Sequence, residues 1–311
     1  MARSDPFDAI GAALRADAVG LFPGQGSITS GAGVAWRDSP HWDLIDRVSD
    51  VADVDVAAVL LSAAEPDVTR TDNAQLATFA LALVGYAALR ESGPAPAFHL
   101  GHSLGEFSAL SAAGVLSLDD GARLIAARGR AMLRAARERD GSMVALMGGD
   151  DGAREATANL ADVWTANVNG TGQLVVSGTR AALDDLLERH RELGWRRATP
   201  LPVGGAFHSP LMASAQADLD AALAQVTWHE SPITVIANVD AATHVGASWS
   251  RVLSRQLTEP VQFLDATLAL PPSVTTSVEM PPGTVLSGLV KRIRDFELQT
   301  AVTDPANARL P

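Results

Sequence analysis

The sequence predicts an α/β fold in two parts, and three observations predict it. Short apolar runs that read as strands alternate with helix-length periodic stretches along most of the chain. One such run, "APAFHL" (95–100), passes through the tight turn "GHSLG" (101–105) directly into a helical pattern. From about residue 140 to 203 the order becomes strand, helix, strand, strand, helix, strand, which is the split βαβ, ferredoxin-like unit. The expected division is therefore a discontinuous larger domain, 1–139 and 204–311, with an insert at 140–203.

Taken in chain order, "AVGLF" (18–22) reads as a strand leading into the Gly-rich "PGQGS", and "HWDLIDRVSDVA" (41–52) as a helix. A longer helix is expected over 72–93, started by an Asp72 or Asn73 cap and stopped at Gly93 and Pro94. After the 95–100 strand come helices at 103–114 and 117–140, the second capped by Ser117. In the insert the strands are "SMVALMG", "VWTANVN", "QLVVSG" and "WRRATPLPV"; the helices are "DGAREATANLA" and "RAALDDLLERHRELG". The larger domain resumes with a helix after "FHSP", a strand at 233–239, one helix over 248–268, and a final strand (275–280) and helix (283–296). The segment from Thr300 onward lacks periodicity and is expected to be loose.

Composition bounds the function. With 311 residues and 47% hydrophobic content, the chain can bury a full core. Its net charge of −12 argues against a general nucleic-acid binder and against an anionic membrane surface as partner. Zero cysteines exclude a disulfide scaffold, thiolate catalysis and cysteine-ligated metal, and the cytoplasm is the expected compartment. Asp5, Asp8, Arg15 and Asp17 interrupt any apolar signal region, and the best apolar run, 76–89, is shorter than the roughly 20 residues a membrane span needs.

The Gly-X-Ser-X-Gly turn makes Ser103 a candidate nucleophile. Strand, sharp turn and helix together would expose its hydroxyl, and the Leu104 amide at the helix start would face a developing oxyanion. A serine that merely caps a helix is the competing reading. A nucleophilic serine needs a base. Adjacent side chains diverge at a sharp turn, so His102 reads as loop support, whereas His208, in the Gly-rich "VGGAFHSPLM", can be aimed into a cleft. The "PGQGS" loop lacks the Lys-Ser/Thr pair of a phosphate-binding Walker loop.

The motifs "FPGQGS", "GHSLGE", "AARGRAM", "AFHSPLM" and "RQLTEPVQF" occur in an order and spacing that resemble malonyl-CoA:acyl carrier protein transacylases and polyketide synthase acyltransferases, from about Val19 to Arg294. The resemblance implies an α/β-hydrolase-like large domain with a ferredoxin-like insert. It implies Ser103 as nucleophile and His208 as base, with the backbone N–H groups of Gln25 and Leu104 as oxyanion hole. It also implies a backbone carbonyl near Gln256 to orient the histidine, and Arg128 to bind a free carboxylate on the acyl group, as malonyl carries. Phe207 and Gly205 would line the acyl pocket, with Asn167 reaching the cleft from the insert.

Three departures from the family pattern stand out: Ile28 for a Gln, "MPPG" (280–283) for Gly-Pro-Gly, and Gly205 for a His. The last leaves a bulkier extender unit than malonyl open.

No metal or other cofactor is implied; a coenzyme A thioester is substrate and an acyl carrier protein, through its phosphopantetheine thiol, is partner. Carrier proteins are typically acidic, so a local basic surface is expected to meet one, with Arg191, Arg196, Arg197, Lys291, Arg292 and Arg294 as candidates. A free-standing monomeric malonyl-type transferase for fatty-acid or polyketide synthesis is the preferred reading. A thioester hydrolase that clears stalled carriers, transfer of a different acyl group between carriers, and a non-catalytic carrier-binding scaffold remain open.

Overall fold

The computed structural model of the protein describes residues 5–7 and 13–310; Asp8 of the N-terminal segment lies outside them. A parallel sheet of five strands forms the base. Its first strand, β1 (Leu14–Phe22), is buried from Ala18 onward, because the run "AVGLF" faces helices on both sides of the sheet. Three helices follow: α1 (Asp43–Ala52), α2 (Val56–Leu61) and α3 (Glu65–Val68). The long α4 (Thr71–Glu91) then crosses the core, apolar nearly all round and buried accordingly. Strand β2 (Ala95–Gly101) pairs with β1, and α5 (Leu104–Ala112) and α6 (Leu118–Glu138) lead to the second sheet.

That sheet holds β3 (Gly141–Met147), β4 (Val163–Gly170), β5 (Gln173–Thr179) and β6 (Arg197–Pro200), with α7 (Asp151–Ala158) and α8 (Arg180–Arg189) between them. Its order, β4-β5-β3-β6, all antiparallel, is the ferredoxin-like arrangement expected from the pattern. The chain returns through α9 (Ala213–Leu223), β7 (Thr234–Ile236), α10 (Ser248–Arg255), α11 (Phe263–Leu268), β8 (Thr276–Glu279), α12 (Val285–Val290) and β9 (Leu298–Ala301). The large sheet runs β7-β2-β1-β8-β9, and the fold is an α/β-hydrolase-like layer with a small ferredoxin-like unit.

The structure corrects four expectations. Neither Asp72 nor Asn73 caps α4: the helix begins at Thr71, Arg70 occupies the cap position, and Asp72 instead accepts from Arg70 Nε at 2.7 Å. The single helix over 248–268 is two, because Pro260 has no N–H to continue it. The last helix stops at Val290, and Arg294, beyond it, donates to the carbonyls of Leu270, Pro271 and Val274. The segment from Thr300 is ordered, since β9 pairs with β8 and Asp304 and Asn307 close a capping box around a 3-10 turn.

The two sheets are joined at the Pro260 break. Val168 N–H donates to the Val261 carbonyl and Val261 N–H to the Ala166 carbonyl, both at 2.8 Å, so β4 is bonded to the segment between α10 and α11.

Candidate active site

The elbow is a consequence of close packing. A side chain on Gly101 would meet the Gly105 carbonyl carbon at 2.0 Å, and one on Gly105 would meet the Phe22 carbonyl oxygen at 1.9 Å. Only glycines let strand, turn and helix pass so near one another. Ser103 between them has φ 53° and ψ −110°, a strained backbone that turns its hydroxyl out of the sheet edge. Asn238 clamps this turn: its Oδ1 accepts from Ser103 N and its Nδ2 donates to Gly101 O, each at 2.7 Å.

His208 also has a positive φ, 57°. Its loop is held by Ser209 Oγ donating to Ala206 O at 2.6 Å, and by Ser177 Oγ of β5 donating to Phe207 O. The imidazole Nε2 lies 2.7 Å from Ser103 Oγ, and Nδ1 lies 2.7 Å from the Gln256 carbonyl. A carbonyl only accepts, so Nδ1 carries the proton and Nε2 is the free base facing the serine hydroxyl. Burial, then the nearby Arg128 charge, pushes His208 down to about 3.

Arg128 is buried, unlike its exposed α6 neighbours Arg123, Arg130, Arg134, Arg137 and Arg139. Its NH1 donates to Gln75 Oε1 at 2.6 Å; NH2 donates to Gln256 Oε1 at 3.0 Å and to Ser103 Oγ at 3.2 Å. Gln75 is in turn fixed by its Nε2 at 3.3 Å from Met132 Sδ. Burial lowers the guanidinium to about 10, so it stays charged near neutrality. Gln256 closes the circuit: besides its carbonyl on His208, its Nε2 donates to Ser103 O at 3.0 Å and to Glu106 Oε2.

Ser103 and His208 open on a cleft of about 310 Å³, with Arg128 and Gln256 buried behind the serine. Gln25 and Gly24 form one rim, Asn167 and Asn169 of β4 another, and Met132, Phe207 and Val203 an apolar wall. His102 faces the cleft and bonds Asn169 Oδ1 through Nε2 at 2.9 Å, out of hydrogen-bonding contact with the serine. Asn167 Oδ1 is buried without a partner. Gly205 does not line the cleft: a side chain there would meet Ala136 Cβ at 2.6 Å, so α6 already fills the space and the missing side chain enlarges nothing. This corrects the expectation of a roomier acyl pocket. Of the basic surface candidates, Arg191, Arg196, Arg197, Lys291 and Arg292 are exposed, whereas Arg294 is committed to backbone carbonyls.

The sequence pattern brought Ser103, His208, Arg128, Gln25, Leu104, Gln256, Phe207 and Asn167 into consideration, and all of them lie at or around this cleft. It gave no role to Asn238, Gln75 and Glu106, three buried polar side chains; Glu106 closes the quoted motif "GHSLGE", Asn238 interrupts the apolar "ITVIANV", and nothing local marks Gln75. Among the described residues no cluster of three or more His, Asp or Glu side chains is arranged to hold a metal ion. No helix among them is long and apolar enough to cross a membrane.

Residues 19–303 match the family model described as acyl transferase domain, and the chain belongs to that family. It is 36% identical over 299 residues to a malonyl CoA-acyl carrier protein transacylase of Bacillus subtilis, covering 93% of this chain and 94% of the relative. A crystal structure of malonyl-CoA:acyl carrier protein transacylase from Xanthomonas oryzae superposes with a TM-score of 0.88 at 38% identity, covering 94% of this chain and 96% of the other. A type II polyketide synthase acyl-carrier protein in complex with its malonyl-transacylase is similar too, at TM-score 0.88 and 31% identity over 94% and 98% of the chains. The resemblance carried by the five motifs is borne out across nearly the whole chain.

Proposed function

We propose that this protein moves a malonyl group from coenzyme A, through an ester on Ser103, to the phosphopantetheine thiol of an acyl carrier protein in fatty-acid or polyketide synthesis. The observation that carries the reading is the buried Arg128 guanidinium 3.2 Å from the same hydroxyl that His208 holds at 2.7 Å. A nucleophile beside a buried, permanently charged fork suits an acyl group with a second, free carboxylate. The relatives' names point the same way.

In the first half-reaction His208 Nε2 takes the Ser103 hydroxyl proton while Oγ attacks the thioester carbonyl carbon. The Leu104 amide opens α5 and has no carbonyl of a preceding turn to bond, so with the Gln25 amide it is offered to the oxyanion. Collapse breaks the C–S bond, and the imidazolium returns its proton to the coenzyme A sulfur. A carrier thiol then repeats the sequence against the acyl-serine. The Gln256 carbonyl holds His208 in the required tautomer as a neutral partner, which leaves the base weaker than one backed by a carboxylate and favours an ester that survives until the thiol arrives. Asn167 and Phe207 would contact the acyl-pantetheine portion, and no further cofactor takes part. The same proposal sets the small domain at 140–203 within 1–139 and 204–311, and places the protein in the cytoplasm.

The test is intact mass after incubation with malonyl-CoA. A malonyl adduct that is absent in Ser103→Ala and discharged by a holo acyl carrier protein is expected; an adduct that disappears equally fast without carrier would make the protein a hydrolase.

A further inference from the structure

The steps above leave Glu106 without a task, although its carboxylate is fully buried on the first turn of α5, three residues beyond the nucleophile. Its Oε1 accepts from Asn238 N at 2.9 Å and its Oε2 from Gln256 Nε2. The other end of the Gln256 carboxamide accepts from Arg128 NH2. Anion, amide and cation thus form one chain, Glu106, Gln256, Arg128, ending at the serine. An isolated buried carboxylate is costly, and in the empty cleft Arg128 is the charge that offsets it.

A substrate carboxylate changes this balance. Paired directly with the guanidinium, it leaves two anions sharing one buried cation, an arrangement in which one anion gains a proton. The incoming group holds the cation through direct bonds, whereas Glu106 reaches it only through an amide, so Glu106 is the one displaced.

We propose that Glu106 is a positioning residue: it balances Arg128 while the cleft is empty and takes up one proton when the free carboxylate of the acyl group pairs with that guanidinium. The proton comes from solvent and no covalent bond other than O–H changes. Both existing hydrogen bonds survive, since each carboxylate oxygen has two acceptor positions. The other groups around Glu106 do not substitute for it. Asp240, beyond β7, adds like charge, and His208, which shares Gln256 with Glu106, is held neutral by burial and by the Arg128 charge. Burial already lifts Glu106 to about 7, within reach of a further rise.

The inference rests on the malonyl reading, and the experiment separates the two. Malonyl-CoA is titrated calorimetrically into Ser103→Ala protein at pH 8 in two buffers of different ionisation enthalpy, with acetyl-CoA in parallel. Uptake of roughly half a proton to one proton per site is expected for malonyl-CoA and none for acetyl-CoA. In the Ser103→Ala/Glu106→Gln protein malonyl-CoA should bind without uptake; a residue that only held the turn in shape would leave the proton count unchanged when replaced. Malonyl-CoA binding with no proton uptake, or uptake that persists in Glu106→Gln, overturns the role of Glu106. Affinity for malonyl-CoA no greater than for acetyl-CoA, and unaffected by Arg128→Ala, overturns the malonyl reading instead. Should Glu106→Gln not fold, infrared difference spectra of the Ser103→Ala protein with and without malonyl-CoA decide instead: a protein carboxylate band exchanged for a protonated-carboxyl band supports the role of Glu106, and no such exchange overturns it.

Discussion

Replacing Arg128 by Ala separates the two jobs the cleft performs, attacking a thioester and recognising a carboxylate. The guanidinium is 1% exposed and hydrogen-bonds to Gln75, Gln256 and the Ser103 hydroxyl, none of these bonds involving His208. Its loss leaves the Ser103 to His208 contact intact but gives the malonyl carboxylate no counter-charge in a desolvated site. Removing one member of a buried ion pair costs about 3–5 kcal/mol. At about 1.4 kcal/mol per tenfold, kcat/KM for malonyl-CoA should fall between about 10²- and 10⁴-fold. Acetyl-CoA has no carboxylate to pair with the guanidinium, and its loading should hold. Quenched-flow acylation followed by intact mass, with both thioesters on both proteins, gives the four rates. A fall of equal size for the two substrates would refute the carboxylate-binding role and make Arg128 a support of the serine alone.

Gly205→Ala should lower stability by about 1–3 kcal/mol through its clash with Ala136, and Ala136→Gly in the same chain should recover part of the lost melting temperature, the new glycine itself costing about 1 kcal/mol inside α6. Asn238→Ala strands the Ser103 N–H and the Gly101 carbonyl; about 1–3 kcal/mol for each unsatisfied group should appear in denaturant unfolding, with slower acylation because the elbow loses its clamp. His208 is depressed to about 3, so its neutral form persists well below the usual histidine range, and kcat/KM for acylation should show no fall as pH drops through 6.5. Glu106 works in the opposite sense for stability: its folded value, about 7, lies above the ordinary 4.5, so its contribution is complete below pH 4.5 and lost as pH rises to 7. His208, folded below its ordinary 6.5, contributes above that pH and loses it as pH falls toward 3, so the two oppose each other between 4.5 and 6.5. Melting curves of Glu106→Gln minus those of the parent protein should therefore shift upward with pH across 4.5 to 7.

The layout of strands was legible wherever apolar runs were bounded by Gly or Pro, as at "AVGLF" and "APAFHL", and the ferredoxin-like order was legible because each element of the insert has its own period. The short α2 and α3 were not, since a turn or two of helix gives too few repeats to reveal a face. The site was legible where chemistry demands a rare pattern. Ser103 needs glycines on both sides for a steric reason that the contacts of Gly101 and Gly105 display. Asn238 sits in the apolar "ITVIANV", where nothing local distinguishes a clamp from a strand end; its purpose exists only once β7 lies beside β2. Gly205 misled because an absent side chain reads as empty space until the helix that occupies that space is known.

The pair of backbone bonds between β4 and Val261 fixes more than a loop. Val261 lies five residues past Gln256, the residue whose carbonyl steadies the imidazole, so the small sheet and the histidine's support are riveted to one stretch of chain. A clamshell motion that widened the aperture would have to tear those rivets or drag the imidazole's anchor with it. The imidazole and the small sheet therefore move together or not at all, and acyl groups are sorted by the side chains fixed around Ser103, the Arg128 guanidinium foremost.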